Sequence, residues 1–167
     1  TEYQDRKDNQ RNFYFDSGFK ELDDIIHGIQ RGEELIVLVA RLGQGKSFVS
    51  LKMAVSIWAQ AKNVGYISPE MSYSTIGYRI DTLLGHFSNS NLMHGNDEEA
   101  YHEFIEGLKG KENKFVVATP KDFNKKITVS KLRNFVQQYK LDALFIDGIK
   151  YLSDERGRKN DNLTTSL

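Results

Sequence analysis

The chain has 167 residues, enough for one domain with a core of its own, and its 23 Lys and Arg balance 23 Asp and Glu. That balance excludes a global electrostatic signal for nucleic acid, so such a contact has to come from a local patch. The absence of cysteine excludes a disulfide framework and thiolate metal sites and fits a reducing cytoplasm. No apolar run has the length of a membrane span, and the first residues lack the apolar stretch of a signal peptide.

Residues 1–14 are mostly polar and charged and are expected to form a solvated leader or linker, with Phe13, Tyr14 and Phe15 opening the ordered part. Between Gly18 and Gly32 the spacing of Leu22, Ile25 and Ile26 predicts a short amphipathic helix, ended and turned by Gly28 and Gly32. Leu35-Ile36-Val37-Leu38-Val39 is a continuous, largely β-branched run, as in a strand buried on both faces. A long helix is expected next, ending near Lys62, with Phe48, Leu51, Val55 and Trp58 on one stripe. Val64-Gly65-Tyr66-Ile67 reads as a second strand, closed by Pro69.

Ser72 or Ser74 then caps a helix carrying Ile76, Ile80, Leu83 and Leu84. Residues 89–97 read as a polar loop, and 98–109 as a helix with Phe104, Ile105 and Leu108 inward. Phe115-Val116-Val117-Ala118 is a third strand, with a loop opening at Pro120. Thr128 caps a helix with Val129, Leu132, Val136 and Tyr139 on one stripe, and Ala143-Leu144-Phe145-Ile146 is the last strand, ending at Asp147. Strands alternating with amphipathic helices give an α/β fold with a mostly parallel sheet, whose active loops lie at the carboxyl ends of the strands. The tail from Ser153 is polar again.

The segment Ala40-Arg41-Leu42-Gly43-Gln44-Gly45-Lys46-Ser47 lies between an expected strand and an expected helix and reads as a phosphate-binding loop. Its backbone N–H groups and the helix N-terminus converge on a polyphosphate. Lys46 supplies a point charge for the β/γ-phosphates, the Ser47 hydroxyl a ligand for Mg²⁺, and the nucleotide-contacting stretch runs on to Phe48. The usual pattern asks for Gly where Ala40 stands, which is tolerable if that position needs a small side chain and not a positive φ. Asp147, at a strand tip, suits a Mg²⁺-orienting acid or a simple turn with Gly148. Glu70 directly follows the second strand, where a carboxylate can position and deprotonate the water that attacks the γ-phosphate; position alone fits a helix-start acid equally.

Glu99-Ala100-Tyr101-His102 has a metal-site spacing, but helical carboxylate sites need it twice, so it reads as a solvated face. His27, His86 and His94 show no partner spacing. Lys121, Lys125, Lys126, Lys131 and Arg133 form a local basic cluster, either a solvated face or a contact for a nucleic-acid backbone.

Taken together the motifs resemble one family. Gly18-Phe19-Lys20-Glu21-Leu22-Asp23 with Gly28-Ile29-Gln30-Arg31-Gly32-Glu33 resembles the lead-in to the ATPase core of DnaB-type replicative helicases. The phosphate loop is similar to theirs, including a lenient first position that accommodates Ala40. Ser68-Pro69-Glu70-Met71-Ser72 is similar to their Ser-Leu-Glu-Met-Ser segment, and residues 143–147 resemble their Walker B strand. The likeness runs from about Phe15 to Leu152, and the Glu-Met-Ser segment is its discriminating part.

The resemblance implies a RecA-like P-loop fold over 15–152, incomplete at its carboxyl end, with 153–167 leading into the rest of the domain. It implies ATP and Mg²⁺ as cofactors, Glu70 as catalytic base, Lys46 and Ser47 on phosphates and metal, and Asp147 in the metal shell. It implies a homohexamer coupling ATP hydrolysis to movement on single-stranded DNA in a bacterial or phage-infected cytoplasm, with primase and helicase loader as further partners. The family's Tyr-Leu-Gln-Leu after the Walker B Asp is replaced by Gly148-Ile149-Lys150-Tyr151, with Lys150 near the place of the Gln. The family's sensor strand, DNA-binding loops and arginine finger are expected beyond Leu167, and its collar domain before Thr1. A RecA/RadA-like recombinase, a KaiC-like ATPase, and an ATP-binding module or loader with little hydrolysis remain as alternatives.

Overall fold

A computed structural model describes residues 13–32 and 34–154, together with residues 4, 7 and 8. The expected leader and tail lie almost wholly outside the described residues. The elements follow in the order β1 (Tyr14–Phe15), α1 (Lys20–Ile26), β2 (Ile29–Gln30), α2 (Lys46–Ala59), β3 (Val64–Ile67), α3 (Tyr73–Gly85), α4 (Asn89–His94), α5 (Glu98–Leu108), β4 (Phe115–Ala118), α6 (Val129–Tyr139) and β5 (Ala143–Ile146). Short 3₁₀ turns cover Pro120–Phe123 and Ile149–Tyr151.

Strands β3, β4 and β5 form a parallel sheet in the order β4-β3-β5, with Val64 level with Phe115 and Ala143. Their side chains alternate between two cores. On one face Val64, Tyr66, Phe115, Val117, Ala143 and Phe145 pack with α2 and α3 residues including Leu51, Ile57 and Ile76. On the other, Ile67, Val116, Ala118, Leu144 and Ile146 pack with Leu132 and Phe135 of α6. Gly65 keeps that second interface close, since a Cβ there would lie 2.5 Å from Leu141 Cδ1 and 3.1 Å from Phe135 Cε1. Burial on both faces is why these strands read as unbroken apolar runs rather than as alternating ones.

The amino ends of the strands are stitched by Asn63. Its N–H donates to Asp142 Oδ2 at 2.8 Å, its Oδ1 accepts the Lys114 N–H at 2.8 Å, and its Nδ2 donates to the Lys140 carbonyl at 3.0 Å. Arg31 bonds the other oxygen of Asp142 and so ties in the antiparallel β1–β2 hairpin. That hairpin also docks on α2, where Ser56 Oγ and Gln60 Nε2 donate to the Asp16 carbonyl.

Four expectations need correction. Residues 35–39 are not a strand: among the described residues no neighbour forms a ladder with them, and Leu35 and Val39 are each 90% exposed. β-branched composition favours a strand, but only a partner edge creates one. Residues 89–97 are not a loop throughout, because Ser88 accepts the Asn91 N–H, Leu92 is buried, and Gly95 closes helix α4 at φ 70°. In α6 the inward stripe is shifted from the expected one: Leu132 and Phe135 are buried whereas Val129 is exposed. In α2, which ends at Ala59, Phe48 lies exposed off the buried stripe, and Met53, Ala54 and Ile57 join Leu51, Val55 and Trp58 in the core. The other helices match their expected places, with Ser72 the cap of α3 through the Thr75 N–H. Helix α1 forms but contributes no buried residue, and Ile25 is 76% exposed.

The contrast between a packed helix and an unpaired run is measurable. In this 167-residue chain, Ile57→Ala should cost about 2–5 kcal/mol in urea unfolding. Val37→Ser, at an exposed position, should stay within about 0.5 kcal/mol of the parent.

Candidate nucleotide site at the carboxyl edge of the sheet

The chain leaves β3 toward β4 on one side and returns across it to β5 on the other. The order reverses between β3 and β5, and in open α/β sheets the crevice outside the carboxyl ends at such a reversal is where ligands bind. Glu70 follows β3 and Asp147 follows β5, so both flank that crevice. The Asp147 N–H donates to the Ile67 carbonyl at 2.9 Å, which pins the β5 tip to the β3 tip.

Residues 40–45 lead into α2 as an exposed loop. Gly43 and Gly45 hold φ values of 77° and 81°, a region open to Gly at little cost, and Gly45 is the helix N-cap. Ala40 is not among the residues at positive φ, so a small side chain suffices there. The Gly45 carbonyl accepts the Phe48 and Val49 N–H groups, each at 2.9 Å, and the first turn of α2 carries no acidic residue to oppose an anion.

The first turn of α2 meets the β5 tip directly. Ser47 Oγ donates to Asp147 Oδ1 at 2.9 Å. Asp147 is only 4% exposed, and its Oδ2 is buried with no hydrogen-bond partner among the described residues. A buried carboxylate oxygen left unpaired is costly, and it marks a position suited to a cation or an ordered water. A serine hydroxyl and a carboxylate side by side are hard oxygen donors of the kind Mg²⁺ takes beside substrate phosphates and water.

Two residues that the sequence did not single out support this turn. Tyr66 OH donates to the Ser47 carbonyl at 3.2 Å and shares a 3.0 Å bond with Ser50 Oγ, which itself donates to the Ser47 carbonyl at 3.0 Å. Burial pushes the Tyr66 phenol up to about 12. The available signal was a tyrosine in an inward strand position, since a buried phenol needs a partner.

Glu70 stands on a bend shaped by the buried Ser68, whose Oγ accepts the Met71 N–H at 3.3 Å. Its Oε1 accepts from Tyr151 OH at 3.0 Å and faces Lys150 Nζ at 3.1 Å. Those two bonds, with weaker help from the Lys46 charge, hold the Glu70 carboxyl below the usual range. Lys46 is therefore within electrostatic reach of Glu70, while Ser47 and Asp147 are in contact. Glu99 and His102 lie elsewhere, beside Glu98 and Glu103 on α5, and no cluster among the described residues could hold a metal by side chains alone. In the basic cluster, Lys131 is used locally, donating to the Phe123 and Lys126 carbonyls.

The model of the DnaB-like helicase C terminal domain matches residues 15–166. The chain belongs to that family. A probable plasmid replicative DNA helicase of Chlamydia trachomatis serovar L2 is 26% identical over 160 residues, covering 93% of this chain and 35% of the relative. The corresponding Chlamydia psittaci protein is 29% identical over 147 residues, covering 86% and 32%. The chain thus spans about a third of the length of these curated relatives. Among solved structures, the ATPase domain of a helicase superposes with a TM-score of 0.75 at 18% identity, covering 95% of this chain and 58% of that one. The fold of this DnaB-like domain is accordingly RecA-like. No helix among its described residues is long and apolar enough to cross a membrane.

The Tyr66 contacts carry a pH signature. Tyr66→Phe should cost about 1 kcal/mol at neutral pH. A phenol raised from about 10 to about 12 stabilises the fold fully below pH 10 and loses that contribution as pH rises toward 12. The stability gap between parent and Tyr66→Phe, followed by denaturant unfolding, should therefore shrink across that window.

Proposed function

We propose that this domain is the ATP-hydrolysing core of a replicative DNA helicase that translocates on single-stranded DNA as a homohexamer. The observation that carries the reading is the contact of Ser47 with a buried, half-satisfied Asp147 beside an exposed Gly-rich helix start. It supports a site for ATP, with the loop from Ala40 to Phe48 wrapping the phosphates. Mg²⁺ fits Ser47 and Asp147 and, when bound, neutralises charge on the β- and γ-phosphates.

In this reading the N–H groups of the loop and of the first turn of α2 orient the triphosphate, and Lys46 offsets its negative charge. Glu70 takes a proton from the water as its oxygen bonds to the γ-phosphorus and the bond to the ADP oxygen breaks. Membership of a helicase family and the likeness to plasmid replicative helicases favour DNA as the track and a ring as the assembly. The expected segmentation, with 15–152 as the ATPase core and flanking residues 1–14 and 153–167 as connectors, belongs to the same proposal. So does a cytoplasmic setting, and so do a primase and a loader as partners.

DNA-stimulated ATP hydrolysis by the full-length protein tests it. Glu70→Gln should lower kcat by about 10²–10⁴ while leaving nucleotide affinity near the parent value. Lys46→Ala should instead weaken nucleotide binding itself. Full turnover by Glu70→Gln would falsify the assignment of the base. The 167-residue chain alone should be monomeric in sedimentation, bind nucleotide weakly and unwind no duplex, since an arginine finger supplied in trans contributes about 10³–10⁵ in rate.

A further inference from the structure

We propose that Lys150 and Tyr151 are positioning residues for Glu70: together they fix its Oε1, leaving Oε2 as the oxygen that receives the proton from water. The inference rests on the reading of Glu70 as the hydrolytic base.

The geometry is specific to one carboxylate oxygen. Lys150 Nζ and Tyr151 OH both meet Oε1, at 3.1 and 3.0 Å, and Oε2 takes no hydrogen bond among the described residues. Two donors on a single oxygen remove the free rotation that an exposed glutamate otherwise has. The two donors also hold each other, with Lys150 Nζ 4.9 Å from the centre of the Tyr151 ring.

The backbone is built for this approach. Asp147 is pinned to β3, so the turn that follows it starts from a fixed point. Gly148 takes a φ of 113°, and a Cβ on it would lie 3.0 Å from Tyr151 Cδ2. Absence of a side chain at 148 is what lets the Tyr151 ring fold back across the turn. The Tyr151 N–H closes that turn on the Gly148 carbonyl at 3.2 Å. The departure from the family pattern over residues 148–151 is thus a connected set: a glycine that makes room, a ring that returns, and a cation beside it.

Orientation, not ionisation, is the gain. An ordinary carboxylate is already charged near neutrality, so lowering its proton affinity further adds no base. A base that must meet one water beside one phosphate benefits from a fixed direction, and small misplacements are costly. The charged and titratable groups facing Glu70 are Lys150 and Tyr151 from the turn after β5 and Lys46 from the phosphate loop. Removing Lys150 or Tyr151 should therefore let the Glu70 carboxyl rise. Because the ionised form is the active one, the acid limb of the rate profile should move to higher pH.

The experiment is DNA-stimulated ATP hydrolysis by the full-length protein as a function of pH, for the parent, Lys150→Gln, Lys150→Arg, Tyr151→Phe and Glu70→Gln. Lys150→Gln and Tyr151→Phe should lower kcat by about 10- to 100-fold with KM little changed. Their acid limbs should move upward, and Lys150→Arg should recover most of the rate. Parent-like kcat and acid limb in Lys150→Gln would overturn the proposal. So would a faster Lys150→Gln, which would make the clamp a restraint on Glu70, or a slower one with an unmoved limb. An active Glu70→Gln would instead remove the underlying reading of the base, whatever the Lys150 variants do.

Discussion

One hydrogen bond joins residues a hundred positions apart and sets the rest of the site: Ser47 Oγ to Asp147 Oδ1. It fixes the start of α2 against the tip of β5. Everything else in the crevice is measured from those two points. Asp147 can serve as an anchor because β5 is locked to β3 by full parallel pairing and its own N–H bonds the Ile67 carbonyl. Ser47 can serve because the Tyr66 phenol and Ser50 both hold its carbonyl from beneath. The two cores on either side of the sheet exist, in functional terms, to keep this contact from moving.

Burial explains which parts of this arrangement were legible in the sequence. Strands β3, β4 and β5 are covered on both faces, and that demand writes continuous apolar runs into the chain. Their ends were legible as well, because Pro69 and Asp147 interrupt the runs where the strands stop. The Gly-Lys-Ser turn was legible because its backbone requires glycine at two positive-φ positions. Residues 35–39 carry the same apolar signal as the real strands and yet stand unpaired. Composition records what a segment would do with a partner; it does not record whether the partner is present. Helix α4 failed for the opposite reason: its stability comes from a serine cap, a closing glycine and one buried leucine, too little for a periodic pattern.

The candidate site divides along the same line. Lys46, Ser47, Glu70 and Asp147 were visible because each stands at the end of a recognisable element. The pairing of Glu70 with Lys150 and Tyr151 was not, because it joins the end of β3 to the end of β5 across 81 residues between Glu70 and Tyr151. Only the strand order makes those two loops neighbours. Lys150 was noticeable merely as a residue out of place, and Gly148 as another; their meaning lies in the backbone turn between them.

A hydrolytic site has to be rigid where it holds charge and open where substrate enters, and this crevice separates the two. Asp147, Tyr66 and Ser68 are buried and bonded to neighbouring backbone, so the oxygens suited to a cation sit on the least mobile part of the domain. The phosphate loop from Ala40 to Gly45 and the Glu70 side chain are exposed, so the groups that would meet the triphosphate and the water remain accessible. An exposed carboxylate is free to turn, and accessibility alone would leave the base disordered. The Lys150–Tyr151 bracket resolves that conflict by restraining Glu70 from the solvent side, through one oxygen, without burying it. Burial would have raised the carboxyl toward its neutral form and removed the base; a cation and a phenol on Oε1 order the side chain while favouring its charge.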